Sequence, residues 1–452
     1  MHRRPWESAM KAEPPVRIPP LSAPRQVYVI GVLLLMYVLA YMDRNVLALM
    51  VDPIKRSLGI TDVQFSLVHG FAFGAFYALF GLPMGWLVDR FSRRWVLFGG
   101  IVFWSLSSVA CGLAGSFPML ALARFGVGAG EATLVPAAYS TITRILPRER
   151  AAIGIAIFSS GSVIGSAVAV AVGGFLIHLL TKAGGIELPV LGFLLPWQAV
   201  FVAIGAPGLL VALLAFTLPE RRHLGQAAPT GAADEQLWPF LVENRRYLLL
   251  IIGGLVMVTI LAVGAAAWLP ALLLRRFGQD VAWVGFAMSL VALMGLGGFL
   301  GTGMISDALF RRGYKDAHIL PSLFAMPVIA VAAVVGFYFS TSLALTIACG
   351  IVVNMLAAMG NSIAAHVQMC TPPALRGRIA AIKVAAQHML GLTFGPLLVA
   401  LVTDHVLHDP MRVGEAMAIV IALTAVVGMV LLGLARAEAR KAVDRSEAWS
   451  HG

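Results

Sequence analysis

The sequence predicts an all-α polytopic membrane protein, with twelve transmembrane helices in two pseudo-symmetric six-helix halves. Three observations carry that prediction. Of 452 residues, 59% are hydrophobic and only 12% are charged, about half the ~25% of an ordinary soluble chain, so too few charges remain to cover a water-facing surface. The apolar residues gather into twelve runs of the ~20 residues needed to cross a bilayer. A charged loop motif also recurs at matching places in the two halves.

The runs lie roughly at 27–49, 64–88, 96–115, 118–142, 152–179 and 196–218, then at 247–273, 283–306, 318–339, 343–369, 379–403 and 414–435. Residues 1–26 hold Pro5, Pro14, Pro15, Pro19, Pro20 and Pro24 without an apolar core. They read as a disordered tail and not as a cleavable signal peptide. Residues 219–246 mix both charge signs with Pro229, Gly231 and Pro239, as expected of a linker between halves 27–218 and 247–435. Residues 436–452 form a second tail. The three cysteines, Cys111, Cys349 and Cys370, never approach C-x-x-C spacing, so neither a disulfide framework nor a thiolate metal site is expected.

The net charge of +11 arises from 33 Lys and Arg against 22 Asp and Glu. Twenty-four of the basic residues fall in the tails and in the loops on the side of both termini, and six fall on the opposite side. Lys and Arg collect in cytoplasmic loops, so both termini are expected in the cytoplasm and the chain in the cell (inner) membrane. The basic excess thus records topology, and no nucleic-acid partner is expected.

The loop after span 2 runs Gly85-Trp86-Leu87-Val88-Asp89-Arg90-Phe91-Ser92-Arg93-Arg94, and the loop after span 8 runs Gly303-Met304-Ile305-Ser306-Asp307-Ala308-Leu309-Phe310-Arg311-Arg312. Glycine, an aliphatic residue, aspartate and the arginine pair recur at one spacing, offset by 303 − 85 = 218. A second echo pairs Pro147-Arg148-Glu149-Arg150 with Pro373-Ala374-Leu375-Arg376. Parallel repeats of this kind build a transport site at the repeat interface.

On these motifs the chain resembles the major facilitator superfamily over nearly its whole length, which implies the major facilitator fold. Gly85 to Arg94 looks like the family's loop 2–3 signature, with Ser92 where glycine is usual, and Ala308 and Phe310 depart from it in the second copy. The resemblance implies a conformational latch made of Gly85, Asp89, Arg93, Arg94, Arg150, Asp307, Arg311 and Arg312. Physical chemistry is consistent with that role: Gly85 permits close helix approach, and Asp89 can face the positive N-terminus of span 11 or Arg150. Within the superfamily, Tyr41-Met42-Asp43-Arg44-Asn45 and Arg124-Phe125-Gly126-Val127-Gly128-Ala129-Gly130-Glu131-Ala132 resemble the spinster branch, here as a bacterial homologue. That branch moves lysophospholipids and phosphorylated sphingoid lipids, and the likeness implies a polar network of Tyr41, Arg44 and Arg124.

Charged side chains in mid-span cost at least ~2.5–3.5 kcal/mol each, so they usually face a cavity and have a task. Asp43 and Glu131 are the clear carboxylates, beside Arg44 and Arg124. Seven residues separate Arg124 from Glu131, which leaves them on one helix face ~10.5 Å apart. Asp43 and Arg124 both lie ~9 Å below the outer edge and are placed to pair. Glu131 sits deeper, where burial and a nearby arginine pull its protonation in opposite directions. Glu131 and Asp43 are therefore the candidate proton-coupling groups. Asn354, Asn361 and His388 are candidates for the opposing wall, although helix–helix hydrogen bonding explains the asparagines equally well. Met257, Met294, Met355 and Met359 would make that wall soft and apolar, and ordinary packing explains them as well.

The Gly126-x-Gly128-x-Gly130 run is not a nucleotide loop, because no strand precedes it; close packing explains it. No catalytic constellation is in register, so neither an enzyme nor a cofactor is expected. The leading reading is a monomeric secondary transporter that moves an amphipathic lysolipid or sphingoid-type lipid by alternating access, coupled to protons, with the lipid bilayer as its surroundings. The alternative is a proton-coupled transporter of a small organic anion or drug-like compound.

Overall fold

The computed structural model describes residues 22–189, 191–219, 230–372 and 375–450. Among them, eleven helical runs are long and apolar enough to cross a membrane, from Ala23–Leu49 to Pro410–Ser446. The fourth predicted span is two helices, Phe117–Glu131 and Leu134–Ile145, neither long enough to cross alone. They meet at Ala132–Thr133, where the Thr133 hydroxyl turns back to donate to the Gly130 carbonyl at 2.8 Å. Span 10 is interrupted at the equivalent place by the 3₁₀ turn Ala358–Gly360. Ala132 and Ala358 are 358 − 132 = 226 apart, the same offset as Arg150 and Arg376 (376 − 150). The repeat is thus a repeat of backbone irregularities as well as of loop charges.

Two elements depart from a purely helical reading. Residues Ile186–Leu188 and Gly192–Leu194 pair as an antiparallel hairpin between spans 5 and 6. Gly185 and Gly192 adopt positive φ of 116° and 74°, a backbone region that glycine enters without steric cost. The C-terminal tail is helical, continuous with span 12 through Val413–Ser450. Its first turns past the membrane are strapped to the loop after span 8. Buried Asp316 accepts from Arg436 at 2.6 Å and Arg440 at 3.1 Å, and although burial raises the Asp316 carboxyl, the two guanidiniums outweigh it and hold it below the usual carboxylate range. The expected linker contains a helix, Thr230–Glu243. The expected N-terminal tail lies outside the described residues except for its last five, from Ser22, and span 1 begins at Ala23.

Spans 1 and 5, 3 and 6, 7 and 12, and 8 and 10 pack as pairs within the halves. Spans 5 and 8, and spans 2 and 11, join one half to the other. These junctions are glycine contacts on the face away from the termini. A Cβ on Gly285 of span 8 would lie 2.2 Å from the Val170 carbonyl of span 5, and one on Gly70 of span 2 would lie 2.3 Å from the Leu392 carbonyl of span 11. Toward the terminal face, Gly81 and Gly85 of span 2 and Gly301 and Gly303 of span 8 meet no heavy atom within 4 Å. The halves therefore touch backbone to backbone at the glycines of the face away from the termini.

Within the C-terminal half, a Cβ on Gly298 would sit 1.8 Å from the Met355 backbone oxygen. Gly298→Ala is expected to cost ~1–3 kcal/mol through forced separation of spans 8 and 10, read as a lowered melting temperature of the purified protein. Gly301→Ala, one turn on, is expected to melt like the parent.

Candidate functional site: crossed ion pairs between spans 1 and 4

Asp43 and Arg44 are consecutive, so helical geometry sends them ~100° apart. Asp43 turns into the helix bundle and is buried, while Arg44 turns toward the centre of the molecule. Each finds its partner on span 4. Arg124 Nη1 donates to Asp43 Oδ2 at 2.9 Å, with side-chain exposures of 1% and 3%, and the Ser108 hydroxyl of span 3 donates to Asp43 Oδ1. Arg44 Nε donates to Glu131 Oε2 at 2.6 Å. Glu131 is fully buried and Arg44 is 14% exposed. The pairing is crossed, with the acid of span 1 on the base of span 4 and the base of span 1 on the acid of span 4.

The glycine run of span 4 makes this possible. A Cβ on Gly128 would lie 2.5 Å from the Phe73 carbonyl, and one on Gly130 2.8 Å from the Gly100 carbonyl, so these glycines let span 4 press on spans 2 and 3. Phe73 is thereby wedged between the two pairs, with its ring 4.4 Å from the Arg44 guanidinium carbon and 5.6 Å from that of Arg124. Tyr41 at 4.7 Å and Tyr77 at 4.8 Å complete an aromatic box around Arg44. A weakly hydrated, planar guanidinium suits such a box. On its far side Tyr77 stacks on His388 of span 11, with ring centres 4.6 Å apart and planes 15° apart. The box thus abuts the other half of the molecule.

Two features of the Arg44–Glu131 pair bear on chemistry. Glu131 gives only Oε2 to Arg44, and its Oε1 is buried with no hydrogen-bond partner among the described residues. Arg44 is the member of the two pairs that remains partly open to solvent. The Asp43–Arg124 pair is sealed in protein.

The other sequence-predicted residues fall as follows. The 3₁₀ turn Ala358–Gly360 lies between Asn354 and Asn361, and the two have different surroundings. Asn354 Oδ1 lies against Gly295 of span 8, and exposed Asn361 bonds its own helix at the Ala358 carbonyl. The methionines do not form one wall, since Met257 packs beside Gly428 of span 12 and Met294 is 48% exposed. An open apolar groove of about 950 Å³ lies between spans 2, 3 and 4, lined by Phe76, Phe80, Phe103, Leu122 and Phe125; Phe103 and Leu122 are exposed at its mouth, and neither Arg44 nor Glu131 lines it. Of the expected latch, the Asp89 side chain lies outside the described residues. Gly85 stands free of close contacts, Arg93 is half-buried, Arg94 donates to the Leu218 carbonyl at 2.6 Å within its own half, and Arg150, Asp307, Arg311 and Arg312 are exposed. Phe73, Tyr77 and Ser108 carry no sequence signal that sets them apart from other membrane-helix residues.

The sequence model of the Major Facilitator Superfamily matches residues 33–382. The chain belongs to that superfamily. It is 26% identical over 91% of its length to an MFS-type efflux pump of Mycolicibacterium smegmatis, covering 93% of that protein. It is also 26% identical to a probable galactarate/D-glucarate transporter of Bacillus subtilis, over 63% of this chain and 66% of the relative. Its fold is similar to that of a bacterial homologue of the human lysosomal transporter Spinster in an inward-facing, unoccupied conformation, with a TM-score of 0.74 at 24% identity, covering 94% of this chain and 98% of that one. A D-xylose–proton symporter is similar at a TM-score of 0.67 and 18% identity, over 89% of this chain and 97% of that one.

Removing one partner of a buried pair strands a charge, which costs ~3–5 kcal/mol. Arg124→Gln is therefore expected to lower the melting temperature sharply, and Asp43→Asn/Arg124→Gln to lose less than the sum of the single variants, a coupling read from a double-mutant cycle of thermal unfolding.

Proposed function

We propose that the chain is a proton-coupled secondary transporter of an amphipathic lipid with an anionic head, a lysolipid or phosphorylated sphingoid-type molecule, working by alternating access. Its place is the inner membrane, with both termini in the cytoplasm. The observation that carries this reading is the Arg44–Glu131 pair. The partly exposed guanidinium is the cation an anionic head would seek, and it is held by one carboxylate oxygen while the other has no partner among the described residues.

An anionic head that takes Arg44 displaces Glu131. The freed carboxylate, buried and without its cation, is then stabilised by binding a proton from solvent. When the head leaves, Arg44 returns to Glu131 and the proton is released. Anion and proton are thus bound together, one on Arg44 and the other on Glu131, with Arg44 changing partners. Asp43, Arg124 and Ser108 hold spans 1, 3 and 4 together while this happens. Tyr41, Phe73 and Tyr77 keep the guanidinium in place, and the contact of Tyr77 with His388 ties the event to the second half. The open apolar groove between spans 2, 3 and 4, lined by aromatic side chains, is chemistry an alkyl tail would fill. The curated relatives named for sugar acids favour a second reading, a small organic anion. It uses the same exchange at Arg44 without the groove.

Purified protein in liposomes tests both. A pH gradient is expected to drive uptake of a labelled lysophospholipid in the parent. Glu131→Gln should abolish the response to the gradient while retaining exchange of lipid for lipid; gradient-driven uptake by that variant would refute the coupling. A single-tailed anionic lipid is expected to compete and its isolated headgroup not. Competition by D-glucarate alone would establish the second reading instead.

A further inference from the structure

Span 5 carries Ser159, Ser162 and Ser166 at i, i+3, i+7 spacing, which places them on one side of the helix. The opposite side shows Ile153, Ile157 and Ile164, all exposed, as befits a face that hydrocarbon covers. The serine side is therefore turned inward, away from the bilayer.

Glycines press this helix against span 1. A Cβ on Gly161 would lie 3.2 Å from the Tyr37 ring, and one on Gly165 2.7 Å from Tyr41 Cβ. Asn45 Nδ2 donates to Ser166 Oγ at 3.2 Å and to the Tyr41 carbonyl at 2.8 Å. Asn45 follows Arg44 in the chain, so Ser166 stands at the level of the Arg44–Glu131 pair. From there the row descends seven residues, ~10.5 Å along the axis, toward the terminal face. It ends where Ser159 Oγ and Tyr139 Oη of span 4 lie 3.5 Å apart, with Tyr139 40% exposed. The rings of Tyr37 and Tyr139 both rest on buried Phe158, with centres 4.4 and 5.9 Å away.

The hydrogen bonds within the row show what it can still take. Ser166 and Ser162 donate to the carbonyls of Ser162 and Ser159, at 2.7 and 2.8 Å, so their oxygens are left as acceptors. Ser166 Oγ takes Asn45, whereas Ser162 Oγ accepts from none of the described residues. At the lower end, Tyr139 and Ser159 hold hydroxyl hydrogens that can be donated. A ligand hydroxyl both donates and accepts, so it can give its hydrogen to Ser162 and receive one from Tyr139 or Ser159. A carboxylate or a methylene can give Ser162 nothing. Nor does packing demand serine here. At the repeat offset of 226 the second half has Ala385, His388 and Leu392, and in the first half the close contacts with span 1 are made by Gly161 and Gly165.

We propose that Ser159, Ser162 and Ser166, with Asn45 and Tyr139, form a hydroxyl-binding subsite beside Arg44. It takes hydroxyl groups on the carbons next to the anionic group. The ligand class is a hydroxylated anion, either a lipid head with a free hydroxyl near its phosphate or a polyhydroxy acid. The proposal rests on the reading at Arg44, which places the anion, and adds what the rest of the polar part must carry.

The test measures affinities from ligand-induced rises in the melting temperature of the purified protein, with two matched pairs. One is a 1-acyl-glycerol-3-phosphate and its 2-deoxy analogue. The other is D-glucarate and adipate, the same dicarboxylate without hydroxyls. In the parent, the hydroxylated member of at least one pair is expected to bind roughly tenfold tighter, and the pair that shows this identifies the source of the ligand. Ser162→Ala and Ser166→Ala are each expected to shrink the ratio severalfold and to leave the affinity of the hydroxyl-free member unchanged. Alanine suits a helix and strands no described partner at Ser162, and Ser162→Thr, which keeps the hydroxyl, should restore the ratio. A purely structural role would weaken both members of a pair alike. Equal affinities within both pairs in the parent, or a parent-like ratio in both alanine variants, would overturn the proposal. If no member of either pair binds, the subsite falls together with the reading at Arg44. A hydroxyl preference that depends on Ser162, in a protein whose uptake ignores the pH gradient, refutes the coupling and leaves the subsite standing.

Discussion

Two carboxylates and two guanidiniums lie among the apolar helices of the N-terminal half, and the rest of the molecule is arranged around keeping them neutral. Unpaired, each would carry a desolvation cost that no local packing could recover. Crossed between spans 1 and 4, Asp43 with Arg124 and Arg44 with Glu131, they cancel in pairs and fix the two helices in register. The same requirement accounts for the glycines of span 4, which bring its backbone against spans 2 and 3, and for Phe73 standing between the pairs. It also separates two kinds of pair. The Asp43–Arg124 pair is sealed in protein, whereas in the Arg44–Glu131 pair the guanidinium remains partly open to solvent.

The break in span 4 follows immediately after Glu131, and its counterpart in span 10 falls at Ala358–Gly360. An interrupted helix frees backbone groups that membrane helices tolerate only beside protein or a cavity. Both interruptions lie in the fourth helix of a half. Around them the halves are in backbone contact at Gly70 and Gly285 on one face, while the glycines of spans 2 and 8 nearer the termini have space around them. On the face of the glycine contacts, Arg275 of span 7 also pairs with Asp52 and Asp62 of the other half.

Much of this was legible in the residues. Eleven of the twelve spans appear as helical runs where the hydropathy placed them, because apolar length is a property of the chain itself. The face shared by Arg124 and Glu131 follows from seven-residue spacing alone, and the meeting of Asp43 with Arg124 from depth. Other parts were not legible. Asn354 and Asn361 look like a pair from their spacing, but in the structure Asn354 lies against Gly295 of span 8 whereas Asn361 is exposed. The methionines look like a wall only if their helices present them together. Nothing in the sequence around Arg275 indicates that Asp52 and Asp62 stand opposite it.

What the sequence by itself determined is therefore what depends on local or periodic properties: the apolar runs, eleven of which are spanning helices among the described residues, the repeated loop charges, and the four charges that had to be compensated among apolar helices. The tertiary structure decided which charge compensates which, that Arg44 rather than Arg124 keeps its opening to solvent, and that Arg275 crosses between the halves. The reason is physical. Hydrophobicity and helical periodicity act along the chain and can be read from it. The pairing energy of a buried charge depends on distance in space, and here the partners are 81, 87 and more than 200 residues apart.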